Sequence, residues 1–279
     1  MIKEIKKITN NNVDFINLQE NHLSIQLSLD GFSFCIYNTV SNEIGVFAVY
    51  EFENATTPYK HLELVEQLFK KEQLLQRKYE SVNVIHTNNL VTQVPEPMFN
   101  KDHMVGYLQN TVKLFKDDFI TYDIIENTEI VNVYIPFVNI NNFLLDQYGT
   151  FEYKHSSTVL IEHLLNEYKN IEGDFCFINV IKNSFEIVVL NNNKFELFNS
   201  YSFQTKEDFI YYILFTAEQL NLNPEEFNLV LLGDIEKESE LFSIAYQYIR
   251  NIKFYSKDKF PAILNSVSSH SYFTLLNQI

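Results

Sequence analysis

The chain has 279 residues, 46% of them apolar, with 25 Phe, 17 Tyr and no Trp. That length exceeds the usual single domain and predicts two lobes, each with apolar residues enough for a core. Twenty-one basic against 36 acidic residues give a formal charge of −15, which argues against nucleic acid and anionic membrane as partners, because both need clustered Lys and Arg.

The densest basic stretches, Ile2–Lys7 and Lys70-Lys71, are short and sit among glutamates. No apolar run approaches the roughly 18 residues of a membrane helix, and the charged start Met1–Lys7 has no apolar stretch behind it. The expectation is therefore a cytoplasmic protein without membrane insertion. Cys35 and Cys176 lie in apolar, strand-like runs, which predicts buried, reduced thiols.

Residues 1–20 are polar and Asn-rich and read as a short helix or a loosely held lead-in. From His22 the pattern changes. Leu23–Leu29 reads as a strand, Asp30-Gly31 as a tight turn, and Phe32–Tyr37 and Ile44–Phe52 as two further strands. Thr57-Pro58 offers an N-cap with proline at the first helical position. The helix that follows carries Leu62, Val65, Leu68 and Phe69 on one face. Val82–His86 reads as a buried strand, and a helix is expected near Asp102–Val112. A hairpin is expected across Glu126-Asn127-Thr128, and then a helix over Asn141–Tyr148 that ends at Gly149. Thr150–Tyr153 reads as a strand, followed by a helix capped at Ser156 or Ser157.

After Gly173 the opening pattern returns. Phe175–Ile181, Ser184–Leu190 and Phe195–Phe203 predict a second three-stranded meander. Thr205–Asp208 has the form of a capping box and opens a helix through Leu220. Leu229–Leu232 reads as a strand, Gly233-Asp234 as a turn, residues 241–249 as a helix and Ile252–Tyr255 as a closing strand. Residues 33–52 and 184–203 align without a gap at an offset of 151, with identities at Ser33/Ser184, Phe34/Phe185, Ile36/Ile187, Asn42/Asn193, Phe47/Phe198, Tyr50/Tyr201 and Phe52/Phe203. Composition alone would give roughly one or two. Both copies run strand, strand, strand, helix, strand, so a duplicated domain is expected.

Two such units, with a hairpin inserted in the first, resemble the actin-like ATPase superfamily: actin, the heat-shock chaperone ATPases, sugar kinases and the pilus-assembly ATPase-fold proteins. Within it the chain is similar to a bacterial family of unknown function, typical of Bacteroidetes. The resemblance rests on the repeated meander, on Asn89–Pro95 leading to Phe99, and on the ending His270–Asn277. It implies an α/β fold of two ribonuclease-H-like lobes, with 1–21 as a lead-in, 22–171 as the first lobe with a hairpin inserted near 118–136, and 172–279 as the second.

In that superfamily a hairpin in each lobe brings Asp and Gly, Ser or Thr to the nucleotide phosphates, and a Gly-Gly turn lies against the adenosine. Phosphate needs close backbone approach, which glycine permits. This sequence departs at each place. Gln26 stands where the superfamily has its strand Asp, and Ser28 where it has Gly. The hairpin Ile181-Lys182-Asn183-Ser184 has neither Asp nor Gly, and Gly233-Asp234 supplies one glycine of two. The six glycines (31, 45, 106, 149, 173 and 233) are too scattered for any other phosphate loop.

Other chemistry is weakly supported. A two-metal nuclease needs acids on the first strand and near the fourth, where Gln26 and His86 stand instead. The seven histidines form no ligand-spaced pair; His86 and His270 are the two placed to face a cleft, and His163 reads as an edge residue. The acidic run Asp234–Glu240 precedes a helix and suits its N-terminal dipole, with a basic docking partner as the sharper alternative.

The leading expectation is a non-catalytic actin-like protein that acts as a cytoplasmic scaffold or docking module for another protein, with a degenerate nucleotide site, no catalytic or metal residues and no cofactor. The alternative is an ATP-binding or phosphotransfer protein with divergent loops, in which Gln26, Asp30, Ser33, Gly233 and Asp234 would contact Mg-ATP. A third reading is a small-molecule sensor that uses an aromatic-rich cleft between the lobes.

Overall fold

The computed structural model describes residues 1–10, 20–53, 57–256, 264 and 267–278. The chain forms two compact units, Met1–Val159 with Pro261–Leu264 and Thr274–Ile279, and Leu160–Phe260 with Asn265–Phe273.

In unit 1, the strands β1 (Ile2–Thr9), β2 (Asn21–Ser28), β3 (Gly31–Asn38), β4 (Glu43–Phe52), β5 (Ser81–Thr87) and β9 (Glu152–His155) form one mixed sheet in the order β1-β4-β3-β2-β5-β9. The meander β2–β3–β4 is antiparallel, whereas β5 and β9 join in parallel. The helix α1 (Pro58–Lys71) starts as its sequence dictates, with the Thr57 hydroxyl accepting from the Lys60 N–H at 3.2 Å. Its apolar face, Leu64, Val65, Leu68 and Phe69, packs on Leu23, Ile25, Leu27, Phe32 and Phe34.

Between β5 and β9, a second, three-stranded sheet of β6 (Val91–Pro95), β7 (Thr121–Ile124) and β8 (Ile130–Tyr134) is ordered β6-β8-β7, with the one-turn helix α2 (Met104–Leu108) packed against it. The insertion is thus larger than the hairpin near 118–136 that the sequence predicts, because Val91–Pro95 pairs with β8. After it come α3 (Val138–Tyr148), ending at Gly149 with φ 85°, and α4 (Ser156–Tyr168), inside which the boundary between the units falls.

Unit 2 has β10 (Asp174–Ile181), β11 (Ser184–Asn191), β12 (Lys194–Ser202), α5 (Lys206–Gln219), β13 (Asn228–Gly233), α6 (Glu240–Tyr248) and β14 (Asn251–Phe254), with sheet order β12-β11-β10-β13-β14. The capping box of α5 is formed: the Thr205 hydroxyl accepts from the Asp208 N–H at 3.1 Å and the Asp208 carboxylate accepts from the Thr205 N–H at 3.0 Å. Cys35 and Cys176 are buried free thiols, as expected, and burial raises both thiols' pKa.

The lead-in contains a strand where the sequence suggests a helix or a loose segment. Ile2, Ile5 and Ile8 have helical spacing, but β1 pairs antiparallel with β4 and carries a register shift between Glu4 and Lys6. That bulge sets Ile2, Glu4 and Lys7 opposite Phe52, Tyr50 and Ala48, all three in the core. Residues 11–19 lie outside the described residues.

The duplication is visible strand for strand, with one correction to its register. Ser28 and Gly31 close the first hairpin ladder and Ile181 and Ser184 the second, an offset of 153. Past the next turn, Glu51 pairs with Gly31 and Ser202 with Ser184, so β4 and β12 correspond at an offset of 151. The two residues are absorbed in the connecting turn, which is Thr39–Asn42 in unit 1 and Asn192-Asn193 in unit 2. Ser33/Ser184, Phe34/Phe185 and Ile36/Ile187 are therefore not equivalent positions. Asn42/Asn193, Phe47/Phe198, Tyr50/Tyr201 and Phe52/Phe203 are, and both asparagines have positive φ (56° and 67°). Even the register shift recurs, between Ile36/Tyr37 and between Val189/Leu190.

Candidate functional site

The hairpins that would receive nucleotide phosphates are as short as hairpins can be. In unit 1 the turn residues are Leu29-Asp30, and Gly31 is the first residue of β3 rather than part of the turn. A Cβ on Gly31 would stand 3.2 Å from both the Ser28 hydroxyl and the Tyr50 carbonyl oxygen, so the glycine serves strand packing. The exposed Asp30 is turned back on its own hairpin, accepting from the Ser28 hydroxyl at 2.8 Å, while its carbonyl accepts from the Phe52 N–H at 2.8 Å. In unit 2 the turn is Lys182-Asn183, and the Asn183 carbonyl accepts from the Phe203 N–H at 2.9 Å, the same latch.

Gln26 and Ser33 face each other across β2 and β3. The half-buried Gln26 carboxamide accepts from the Thr274 hydroxyl at 2.7 Å, and Ser33 is buried. A neutral amide at this place lacks the charge that a carboxylate brings to a divalent cation. Their counterparts in unit 2, at the offset of 153, are Asn179 and Glu186, which also pair across their strands. The Asn179 amide donates to the Glu186 carboxylate at 2.9 Å. Burial pushes the Glu186 pKa up to about 7, with the Asn179 hydrogen bond opposing the shift.

Gly233, expected against adenosine, is fixed by its own unit. Its φ is +80°, and a Cβ there would lie 2.1 Å from the Val180 carbonyl oxygen and 2.8 Å from the Asn179 Oδ1. The N–H groups of the turn are committed within the chain: Gly233 to the His270 carbonyl at 2.9 Å, Asp234 to the Val180 carbonyl at 2.9 Å and Ile235 to the Gly233 carbonyl at 3.0 Å. The His270 ring closes the same knot, its Nε2–H donating to the Ile235 carbonyl at 2.8 Å. No donor of this turn is left for a ligand.

Unit 1 also holds a buried polar network around Asp123 that no sequence motif marks. Asp123 accepts from the His155 N–H at 2.8 Å, the Thr158 hydroxyl at 2.7 Å and the Tyr134 hydroxyl at 3.0 Å, so it ties β7 to β8 and to the start of α4. The His155 Nδ1 accepts from the Ser157 N–H at 3.2 Å and lies 2.7 Å from the Ser157 hydroxyl; its Nε2 is 3.0 Å from the Asn88 carbonyl. That set assigns the proton to Nε2, a neutral ring. His155 and Ser157 have the residue types of a nucleophile and its base, but both are fully buried. They hold an insertion to a helix. His86 is also fully buried, and its Nδ1 accepts from the Phe137 N–H at 3.2 Å. Burial lowers the pKa of His86 to about 3 and of His155 to about 4. Asp123 and Glu186 carry a signal a reader could have used, an acid flanked by apolar neighbours within a strand-like run.

Among the described residues, no three His, Cys, Asp or Glu side chains are grouped to hold a metal ion, and no helix is long and apolar enough to cross a membrane.

The mixed sheets, the repeated meander and the insertion are those of the actin-like ATPase fold. A Bacteroides thetaiotaomicron protein described as having that fold and unknown function superposes with a TM-score of 0.82 at 22% identity, over 95% of this chain and 98% of its own. A chain of the PilM–PilN type IV pilus biogenesis complex superposes with a TM-score of 0.58 at 12% identity, over 92% and 96%. No curated protein sequence matches the chain. The family model described as protein of unknown function DUF3822 matches residues 10–252, and the chain belongs to that family.

Proposed function

We propose that this protein is a non-catalytic member of the actin-like fold, a cytoplasmic docking module in which the nucleotide site is degenerate. The observation that carries the reading is the closure of both hairpins into two-residue turns whose ladders pair up to the turn itself. Two features add to it: Gln26 in place of a metal-holding acid, and the Gly233–Ile235 turn with its N–H groups already donated. The chain similar to it in the PilM–PilN complex works in company with another protein, and large apolar side chains stand in solvent here too, Tyr59, Tyr211 and Tyr246 among them.

Asp30 favours the alternative, because its carboxylate is exposed at a hairpin tip. If Mg-ATP binds, Asp30 is the group to meet the metal, and Gln26, Ser33, Gly233 and Asp234 are the other expected contacts. A phosphate-release assay with Mg-ATP separates the readings. The docking reading expects turnover no faster than the buffer and no change on Asp30→Ala; turnover abolished by Asp30→Ala would establish the alternative.

A further inference from the structure

The duplication supplies an internal control for one exposed feature. In unit 1 the outer edge of β4 is covered by β1, from Ile2 opposite Phe52 to Thr9 opposite Val46. In unit 2 the equivalent strand, β12, is the end of its sheet, and among the described residues of that unit nothing pairs with its outer side. The strand keeps the residues of a covered one: Phe198, Tyr201 and the following Phe203 stand where β4 has Phe47, Tyr50 and Phe52. Those three are at most 4% exposed in unit 1; their counterparts in unit 2 are only half-buried.

The backbone of β12 is set for a partner strand. The Phe203 N–H points inward to Asn183, so by strand alternation the N–H groups of Ser202 and Ser200 point to the open side, where the exposed Asn199 side-chain oxygen accepts from the Ser200 N–H at 2.8 Å and stands in for a partner strand's carbonyl. In β4 the same alternation turns Phe52 inward to Asp30 and Glu53 outward to Met1, at 2.9 Å. An uncovered nine-residue edge is a template for another strand.

A surface runs on from that edge. Tyr201 stacks on Tyr212 of α5 at 4.6 Å, Tyr212 meets Tyr211 at 5.4 Å, and Tyr211 stacks on Phe215 at 5.9 Å. Tyr211 and Phe215 are 59% and 42% exposed. The helical spacing places the exposed Glu207 and Glu218 at the two ends of this aromatic stripe, and Glu196 on β12 is exposed as well. Apolar side chains flanked by acids suit a strand that mixes apolar residues with Lys or Arg. β1 has that composition, with Ile2, Ile5 and Ile8 among Lys3, Lys6 and Lys7. A chain of charge −15 repels its own copies, which disfavours a second copy as the occupant.

We propose that the outer edge of β12 docks an extended segment of another protein, running antiparallel to β12 and mixing apolar with basic residues as β1 does on β4. The inference rests on the docking reading of this protein and names the surface and the chemistry of its partner.

The probe is a dye-labelled synthetic peptide of residues 1–10, titrated with the full chain and followed by fluorescence anisotropy. Saturable binding is expected, weakened roughly tenfold or more by Ser200→Pro, which removes an outward N–H without touching the β11 ladder. Tyr211→Ser with Phe215→Ser tests the aromatic stripe on the helix surface, and the same loss is expected there even if Ser200→Pro does not fold. Absence of saturable binding overturns the inference. Equal binding by wild type and Ser200→Pro also overturns it, since the peptide would then be exchanging with the chain's own β1. A dimer in light scattering that Ser200→Pro dissolves would assign the edge to a second copy and overturn the proposed occupant. None of these outcomes depends on nucleotide, so a response to Mg-ATP would remove the docking reading independently.

Discussion

A carboxyl group removed from water titrates late, and Glu186 fixes the direction in which stability responds to pH. Its pKa is raised in the native protein to about 7 from the ordinary carboxyl range of about 4.3 in the unfolded chain. Between those values the native state holds a proton that the unfolded chain has released, so this group's stabilisation is complete at acid pH and is lost as pH rises to neutrality. Glu186→Gln, which keeps the Asn179 partner, is expected to flatten that fall, gaining on the order of 2 kcal/mol over wild type at pH 8 and little at pH 5. Denaturant melts at the two pH values check it. His61, His86 and His155 act oppositely: burial lowers their pKa values to between about 3 and about 4, so the unfolded chain takes protons below about pH 6.5 that the native state refuses. Acid unfolding should therefore begin below pH 6, and a midpoint that stayed flat down to pH 4 would contradict the neutral assignments. At Gly233, alanine would have to accept a left-handed φ and displace the Val180 carbonyl. Gly233→Ala is expected to cost at least about 3 kcal/mol with or without nucleotide, measured by chemical denaturation.

At the scale of elements, β1 shows why the sequence is read more safely in some places than in others. Its isoleucines recur every three residues, which mimics a helix, whereas in the strand the bulge after Glu4 leaves Ile5 unpaired and exposed and sets Ile2 and Ile8 against residues on opposite faces of β4. A bulge leaves no mark of its own in the residues. Lys7 then reaches Glu72, just past the end of α1, at 2.6 Å, and Glu72 is 5% exposed. Lys7→Ala leaves that carboxylate without its partner and should cost roughly 2 kcal/mol, less than a fully buried pair because Lys7 remains partly in water; a thermal melt at low salt reads it. The meanders were legible because alternation and turn residues are local signals. Their register was not, since a turn two residues longer in unit 1 still allowed a gapless alignment through chance identities such as Ser33/Ser184. The site was legible mostly as departures from a pattern: Gln26 and the glycine-free second hairpin could be read directly, whereas the donors consumed by His270 and Val180 come from strands and turns far apart in sequence.

For the whole molecule, the fold could be anticipated from the order of elements, and membership of DUF3822 and the likeness to the Bacteroides protein agree with that reading. The proposed docking role rests on local features of that frame: tight hairpins, an amide at Gln26 and a glycine turn whose N–H groups are bonded within the chain. We propose that this frame does not bind nucleotide. Thermal melting of the full chain with and without millimolar Mg-ATP and Mg-ADP tests it most directly, because a ligand at a hundredfold excess over Kd stabilises by about 2.7 kcal/mol and moves the midpoint by a few degrees. We expect the midpoint to stay unchanged with both nucleotides. A rise of a few degrees with either, abolished by Asp30→Ala, would contradict the account and return the protein to the nucleotide-binding members of its fold.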